Sequence, residues 1–209
     1  MTRSMTPSAT RRHLLAGGAA TLLTGLGALR HASAQAPAAK GPDYAVFTEM
    51  SPESKLLKAG WNTRVFTDTD ARNGNAIRCD FATGIVTVAP GTYHISGLSI
   101  VTYNTGGEPP EMATVRAPAS AGYCRLRLVG PTPADPETIK NEHPSIKCIG
   151  SGATANMGAS LFETYLTATA ETKMLLEHQA GSNPQQIYLR VYTQNSKWHV
   201  MARIGIRRL

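Results

Sequence analysis

Beyond about residue 55, apolar and polar positions alternate along most of the chain, and turn residues break the alternation about every eight to twelve positions. Alternation of period two sends successive side chains to opposite faces of an extended strand, so the pattern predicts an all-β sandwich or barrel. Ile77, Cys79 and Phe81 alternate with Arg78 and Asp80, a Thr83-Gly84 turn follows, and Ile85-Val86-Thr87-Val88 resumes the extended run, which predicts a hairpin. Residues 93–103 predict a further strand, stopped by Gly106-Gly107 and Pro109-Pro110. In the next one Cys124, Leu126 and Leu128 share one face and Arg125 and Arg127 the other. A loop from Gly130 to about His143, with Pro131, Pro133 and Pro136, is expected on the surface. Residues 160–168, 173–178, 187–193 and 197–207 each predict a strand, with turns at residues 181–184 and 195–196. In the last strand Trp198, Val200, Ala202, Ile204 and Ile206 share one parity, which fixes its register because a slip by one residue would turn all five to solvent. No internal repeat is visible.

The N-terminal part is different. Arg11 and Arg12 precede an uncharged stretch from Leu14 to Leu29 that ends near Ala32-Ser33-Ala34, the basic, apolar and small-residue order of an export signal. Residues 10–16 resemble the bacterial twin-arginine motif, with His13 where that motif prefers an aromatic residue; the general secretory route is the alternative. Four glycines interrupt the apolar stretch, which is also short of the roughly 20 residues a membrane span needs. Residues 1–34 are therefore expected to be a leader, cleaved after Ala34 or Ala36, and residues 35–54, with Pro37, Pro42 and Pro52, a tether without fixed structure. Residues 55–209 are expected to form one domain.

Composition changes the picture in two respects. The leader holds Arg3, Arg11, Arg12 and Arg30 and no acid, so its loss removes four positive charges and takes the formal charge from +7 to +3. That removes most of the basic character that would have pointed to a nucleic-acid partner. After residue 36 no apolar run approaches spanning length, so the mature chain is expected to carry no transmembrane segment. An exported chain is expected in the periplasm or outside the cell, where Cys79, Cys124 and Cys148 meet oxidising conditions. Three cysteines permit one bridge in any of three pairings, or none, with Cys79 and Cys124 as core residues of their strands.

No catalytic motif stands out. His94, His143, His178 and His199 lack metal-ligand spacing, and Gly158-Ala159-Ser160 has Phe162 where a nucleophile elbow would carry its second glycine. Glu177-His178 is the best local pair for chemistry, able to meet His94 or His199 from neighbouring strands. Glu163 and Glu171 join Glu177 as carboxylates on or beside strands. Asp68, Asp70 and Asp80 with Asn73 and Asn75 offer oxygens to calcium, but such a run also makes an ordinary turn. Arg203, Arg207 and Arg208 fit an anion site or a solvated strand end. The expectation is no catalytic residue, no metal and no cofactor, with a periplasmic metal protein or hydrolase using His and Glu residues as the alternative.

Gly60-Trp61-Asn62-Thr63-Arg64-Val65-Phe66, followed by Thr83-Gly84-Ile85-Val86-Thr87-Val88-Ala89-Pro90-Gly91-Thr92-Tyr93, resembles the tumour necrosis factor and complement globular-head superfamily, with Ile85 in place of the common Phe. The sharp part of the resemblance is about a dozen positions. It implies a two-sheet antiparallel jelly-roll sandwich that assembles as a homotrimer and binds a protein or glycan. Within residues 93–103, Leu98 and Ile100 lie opposite Tyr93, Ile95, Val101 and Tyr103, so both faces carry apolar residues. A subunit interface or a covering loop would account for the second face. Tyr188, Arg190 and Tyr192 likewise face away from Ile187, Leu189 and Val191. The expected interface residues are therefore Tyr93, Leu98, Ile100, Tyr188, Arg190 and Tyr192.

Overall fold

A computed structural model describes residues 41–50, 53, 55–103, 121–130, 139–153, 158–180, 187–190 and 199–209. The expected leader, the turns at 106–110, 181–184 and 195–196, Tyr192 and Trp198 lie outside the described residues. Among the described residues the regular elements are all strands, and no helix is long and apolar enough to cross a membrane. In chain order the strands are β1 (Tyr44–Glu49), β2 (Lys55–Leu56), β3 (Asn62–Thr63), β4 (Asp68–Asn73), β5 (Ile77–Cys79), β6 (Val86–Val88), β7 (Gly91–Ile100), β8 (Thr102–Tyr103), β9 (Tyr123–Val129), β10 (Ile146–Ile149), β11 (Ala159–Ala168), β12 (Thr172–Gln179), β13 (Ile187–Arg190) and β14 (Ala202–Arg208).

Pairing of these strands defines the topology. One sheet runs β11-β7-β14-β1-β4; the other runs β10-β9-β12-β6-β5, with β3 also on β12. β1 pairs β14, β6 pairs β12, β7 pairs β11 and β9 pairs β10, all antiparallel. These four pairs fall alternately in the first and second sheet, as they must when one long antiparallel ribbon is rolled upon itself. That is a jelly roll of two antiparallel sheets, as the alternation and the resemblance lead one to expect. A small third sheet, β2-β13-β8, accompanies them.

The main core lies between the sheets. Ala45, Phe47, Tyr93, Ile95, Phe162, Leu166, Ile204 and Ile206 come from the first, and Val86, Val88, Leu126, Met174 and Leu176 from the second. Gly97 is fixed by this packing: a Cβ there would stand 2.2 Å from the Arg203 carbonyl oxygen and within 2.8 Å of the Phe162 ring. The Thr83-Gly84 turn also forms. Gly84 takes φ +76°, and the Asp80 carboxylate accepts from the Ala82 amide and the Thr83 hydroxyl.

Two expectations need correction. The tether does not extend to residue 54, because Tyr44–Glu49 is a strand inside the first sheet, with Ala45 and Phe47 wholly buried. The final strand begins at Ala202; Ala202, Ile204 and Ile206 point inward as expected, and Val200 precedes it. Asp68 and Asp70 do not form a calcium loop: they lie on β4, apart from Asp80 in its hairpin turn. Asp70 accepts from the Thr48 hydroxyl and faces Arg203 at 3.5 Å, while the Asn73 amide donates to the Gly41 and Pro42 carbonyls. Cys79, Cys124 and Cys148 are all free thiols, and burial pushes Cys79 up to about 12 and Cys148 up to about 11, away from the reactive thiolate.

Candidate functional site

Two polar clusters are sealed inside the fold. The first lies between the sheets. The Arg64 Nε donates to Ser99 Oγ at 2.8 Å, Ser99 contacts His178 Nδ1 at 2.8 Å, and His178 Nε2 lies 2.7 Å from the Ala121 carbonyl. A carbonyl only accepts, so Nε2 carries the ring proton and the Ser99 hydroxyl donates to Nδ1. Arg64 also faces Glu49 at 3.3 Å and donates to the Leu189 and Ile100 carbonyls. Along β12, His178 stands between Leu176 of the main core and Ala180 of a second apolar cluster that includes Leu57, Val101, Ile187 and Leu189. The cluster is thus a polar layer joining two apolar ones. Burial, reinforced by Arg64, lowers the His178 pKa from 6.5 to about 3, so the ring is neutral at ordinary pH.

The second cluster sits on the outward face of the second sheet. Glu177 receives Arg125 Nε at 2.7 Å and both Arg127 Nε and Nη2, at 2.8 and 2.7 Å. Strand parity turns these three outward, yet all are buried. The Trp61 ring covers the Arg125 guanidinium at 3.8 Å, and Arg125 Nη1 donates to the Ile139 carbonyl of the β9–β10 connection. Glu177 and His178 are therefore adjacent in sequence but face opposite sides of β12, each with protein partners and no solvent access. Neither approaches His94, whose Nε2 instead lies 2.6 Å from Glu163 on the far sheet.

Among the described residues the first sheet leaves its outward face open. Register aligns three rows across it. Tyr165, His94, Arg207 and Tyr44 form one row, and Leu161, Leu98, Arg203 and Thr48 another. Between them run Glu163, Ser96, Gly205, Val46 and Ala71, mostly short side chains between two rows of long ones. Tyr165 is 65% exposed and Leu161 56%, and Tyr44 is also exposed. Tyr165 packs against His94 with ring centroids 5.2 Å apart. Exposed large side chains on one sheet face are a feature that association surfaces share.

The expected interface residues divide accordingly. Leu98 and Ile100 are on this outward face, half-buried within the chain. Tyr93 is not a surface residue: it is wholly buried in the core, its hydroxyl donating to the Ala89 carbonyl at 2.8 Å. Tyr188 and Arg190 lie on β13, which pairs β2 and β8 and not the first sheet. Leu161, Tyr165 and Tyr44 were absent from the sequence expectation, although the alternation of 160–168 placed Leu161 and Tyr165 on the polar side. Arg208 is anchored by Asp43 at 3.5 Å and by the Pro90 carbonyl, and Arg203 by Asp70, so neither is an isolated anion site.

No protein-family model matches the chain, and no curated protein matches it. Solved structures are similar at the level of fold. Murine APRIL at pH 5.0 is 6% identical, over 81% of this chain and 100% of that one, with a TM-score of 0.46. The globular domain of the zebrafish complement 1qA protein is 13% identical, over 81% of this chain and 98% of that one, with a TM-score of 0.44. The jelly-roll assignment stands on the chain's own strand pairing, and these proteins are what it is similar to in outline.

Proposed function

We propose that this chain is an exported, non-enzymatic recognition module that assembles as a homotrimer through the outward face of the β11-β7-β14-β1-β4 sheet and binds a protein or glycan. The observation that carries the proposal is the exposure of Leu161, Tyr165 and Tyr44 on that one face. Export rests on the order of residues 1–34, and the trimer on the resemblance of residues 60–66 and 83–93. The alternative, a metal protein or hydrolase built on Glu177 and His178, gains nothing from their positions, since both side chains are sealed and bonded within the protein.

Mass in solution tests the assembly. The chain at micromolar concentration is expected at three times its sequence mass in sedimentation equilibrium. Leu161→Glu combined with Tyr165→Glu places two charges on the face and is expected to leave a folded monomer. A wild-type chain that stays monomeric, or a double variant that still forms the trimer, refutes the assignment of the interface.

A further inference from the structure

A cleft of about 460 Å³ opens on the outward side of the second sheet, beside the buried Arg125–Glu177–Arg127 cluster. We infer that it is a carbohydrate site, taking a neutral, hydroxyl-rich ring against Trp61; this deepens the reading of the chain as a recognition module and rests on it.

Three separate segments meet there: the turn at Gly60-Trp61, residues 139–142, and Gln179 at the end of β12. The walls are held before any ligand arrives. Asn62 clamps the turn, its amide donating to the Lys58 and Gly60 carbonyls while its Oδ1 accepts from the Lys58 amide. One face of the Trp61 ring rests on Arg125, and the ring meets Tyr123 edge to face with centroids 5.4 Å apart. Arg125 in turn is fixed by Glu177 and holds the Ile139 carbonyl at the cleft's far wall. A rigid wall reduces what a ligand must order on binding.

The lining chooses the ligand. Lys140, Glu142 and Gln179 supply donors and acceptors, and Trp61 is the aromatic ring of a lining that is mostly polar. Such a wall disfavours a greasy ligand, which would strip water from these three polar groups without replacing their hydrogen bonds. The opposite charges of Lys140 and Glu142 give no preference for an ion. A sugar ring offers an apolar C–H face to an aromatic ring and hydroxyls to the surrounding amide and carboxylate, and the volume lies within the range of small-ligand sites. The Asn141 Nδ2 donates to the Tyr123 hydroxyl at 3.0 Å, which ties the 139–142 wall to β9.

The chain has two tryptophans, so the full chain labelled with nitrogen-15 gives two indole N–H resonances, and Trp198→Phe identifies the one from Trp61. D-galactose, D-mannose and N-acetyl-D-glucosamine are titrated separately to about 100 mM. With at least one of them the Trp61 resonance is expected to move and saturate in the millimolar range, and Gln179→Ala or Glu142→Ala to weaken that sugar about fivefold or more. Absence of movement with all three sugars, or movement that neither substitution weakens, overturns the site. Mass measured on the same samples separates the two readings: a trimer without the indole response loses only the sugar site, and a monomer with it loses only the assembly.

Discussion

The two sheets treat their outward faces in opposite ways. The β10-β9-β12-β6-β5 sheet turns Arg125, Arg127 and Glu177 outward and then buries them beneath Trp61 and the β9–β10 connection. The β11-β7-β14-β1-β4 sheet turns Leu161, Tyr165 and Tyr44 outward and leaves them in solvent. Charge is covered where apolar groups are open, the reverse of what alternation alone would give. A strand's polar parity therefore identifies a face and not an environment; the environment is set by what the connections bring over that face.

The sharpest way to break this contrast is to remove the carboxylate from the covered cluster. Glu177→Gln keeps the size of the side chain but leaves the buried guanidinium groups of Arg125 and Arg127 without their shared counter-charge. A buried pair broken on one side is expected to lose about 3–5 kcal/mol, read from urea unfolding at pH 7. A loss below about 1 kcal/mol would show that the face is wet and not covered.

The layer between the sheets makes a related prediction through pH. Unfolded, His178 binds a proton near 6.5; folded, burial and Arg64 hold its pKa at about 3. Its contribution to stability is full above pH 6.5 and is lost as the pH falls from there toward 3, at about 1.4 kcal/mol per unit. From pH 7 to 5 the wild type is expected to lose about 2 kcal/mol more than His178→Gln, whose side chain does not titrate. Equal slopes for the two proteins would remove the sealed, neutral histidine.

The jelly roll was legible because its strands are short, alternating and punctuated: Thr83-Gly84 turns where expected, and Ala202, Ile204 and Ile206 share the buried face. β1 was not. In Tyr44-Ala45-Val46-Phe47 both parities are apolar, and Pro42 and Pro52 flank the segment, so it carries no period-two signal and takes its place only through pairing with β14 and β4. The candidate face was half legible. Leu98 and Ile100 break the alternation of β7, but Leu161 and Tyr165 become neighbours of Leu98 and His94 only through the β7–β11 register, which joins residues far apart in sequence. Two apolar faces in residues 93–103 did not say which one is inward; Tyr93 shares the inward face with Ile95, and one hydrogen bond to the Ala89 carbonyl satisfies its buried hydroxyl. Nothing local marked Arg125 and Arg127 as covered, since Trp61 reaches Arg125 from a segment more than sixty positions earlier.

The smallest effect is expected from the open sheet, where a carboxylate of the same kind as Glu177 pairs with His94. Glu163 is 66% exposed and His94 31%, so water solvates whatever charge the pair loses. Glu163→Gln is accordingly expected to change the stability of the isolated chain by less than about 0.5 kcal/mol. The proposed assembly alters that expectation in one direction. If this face meets another copy, the pair is desolvated there, and the same substitution acts more strongly as protein concentration rises. Urea unfolding of Glu163→Gln and the wild type at submicromolar and at high micromolar concentration separates the cases. A difference that stays near zero throughout leaves the face in water at every concentration and places the subunit contact elsewhere.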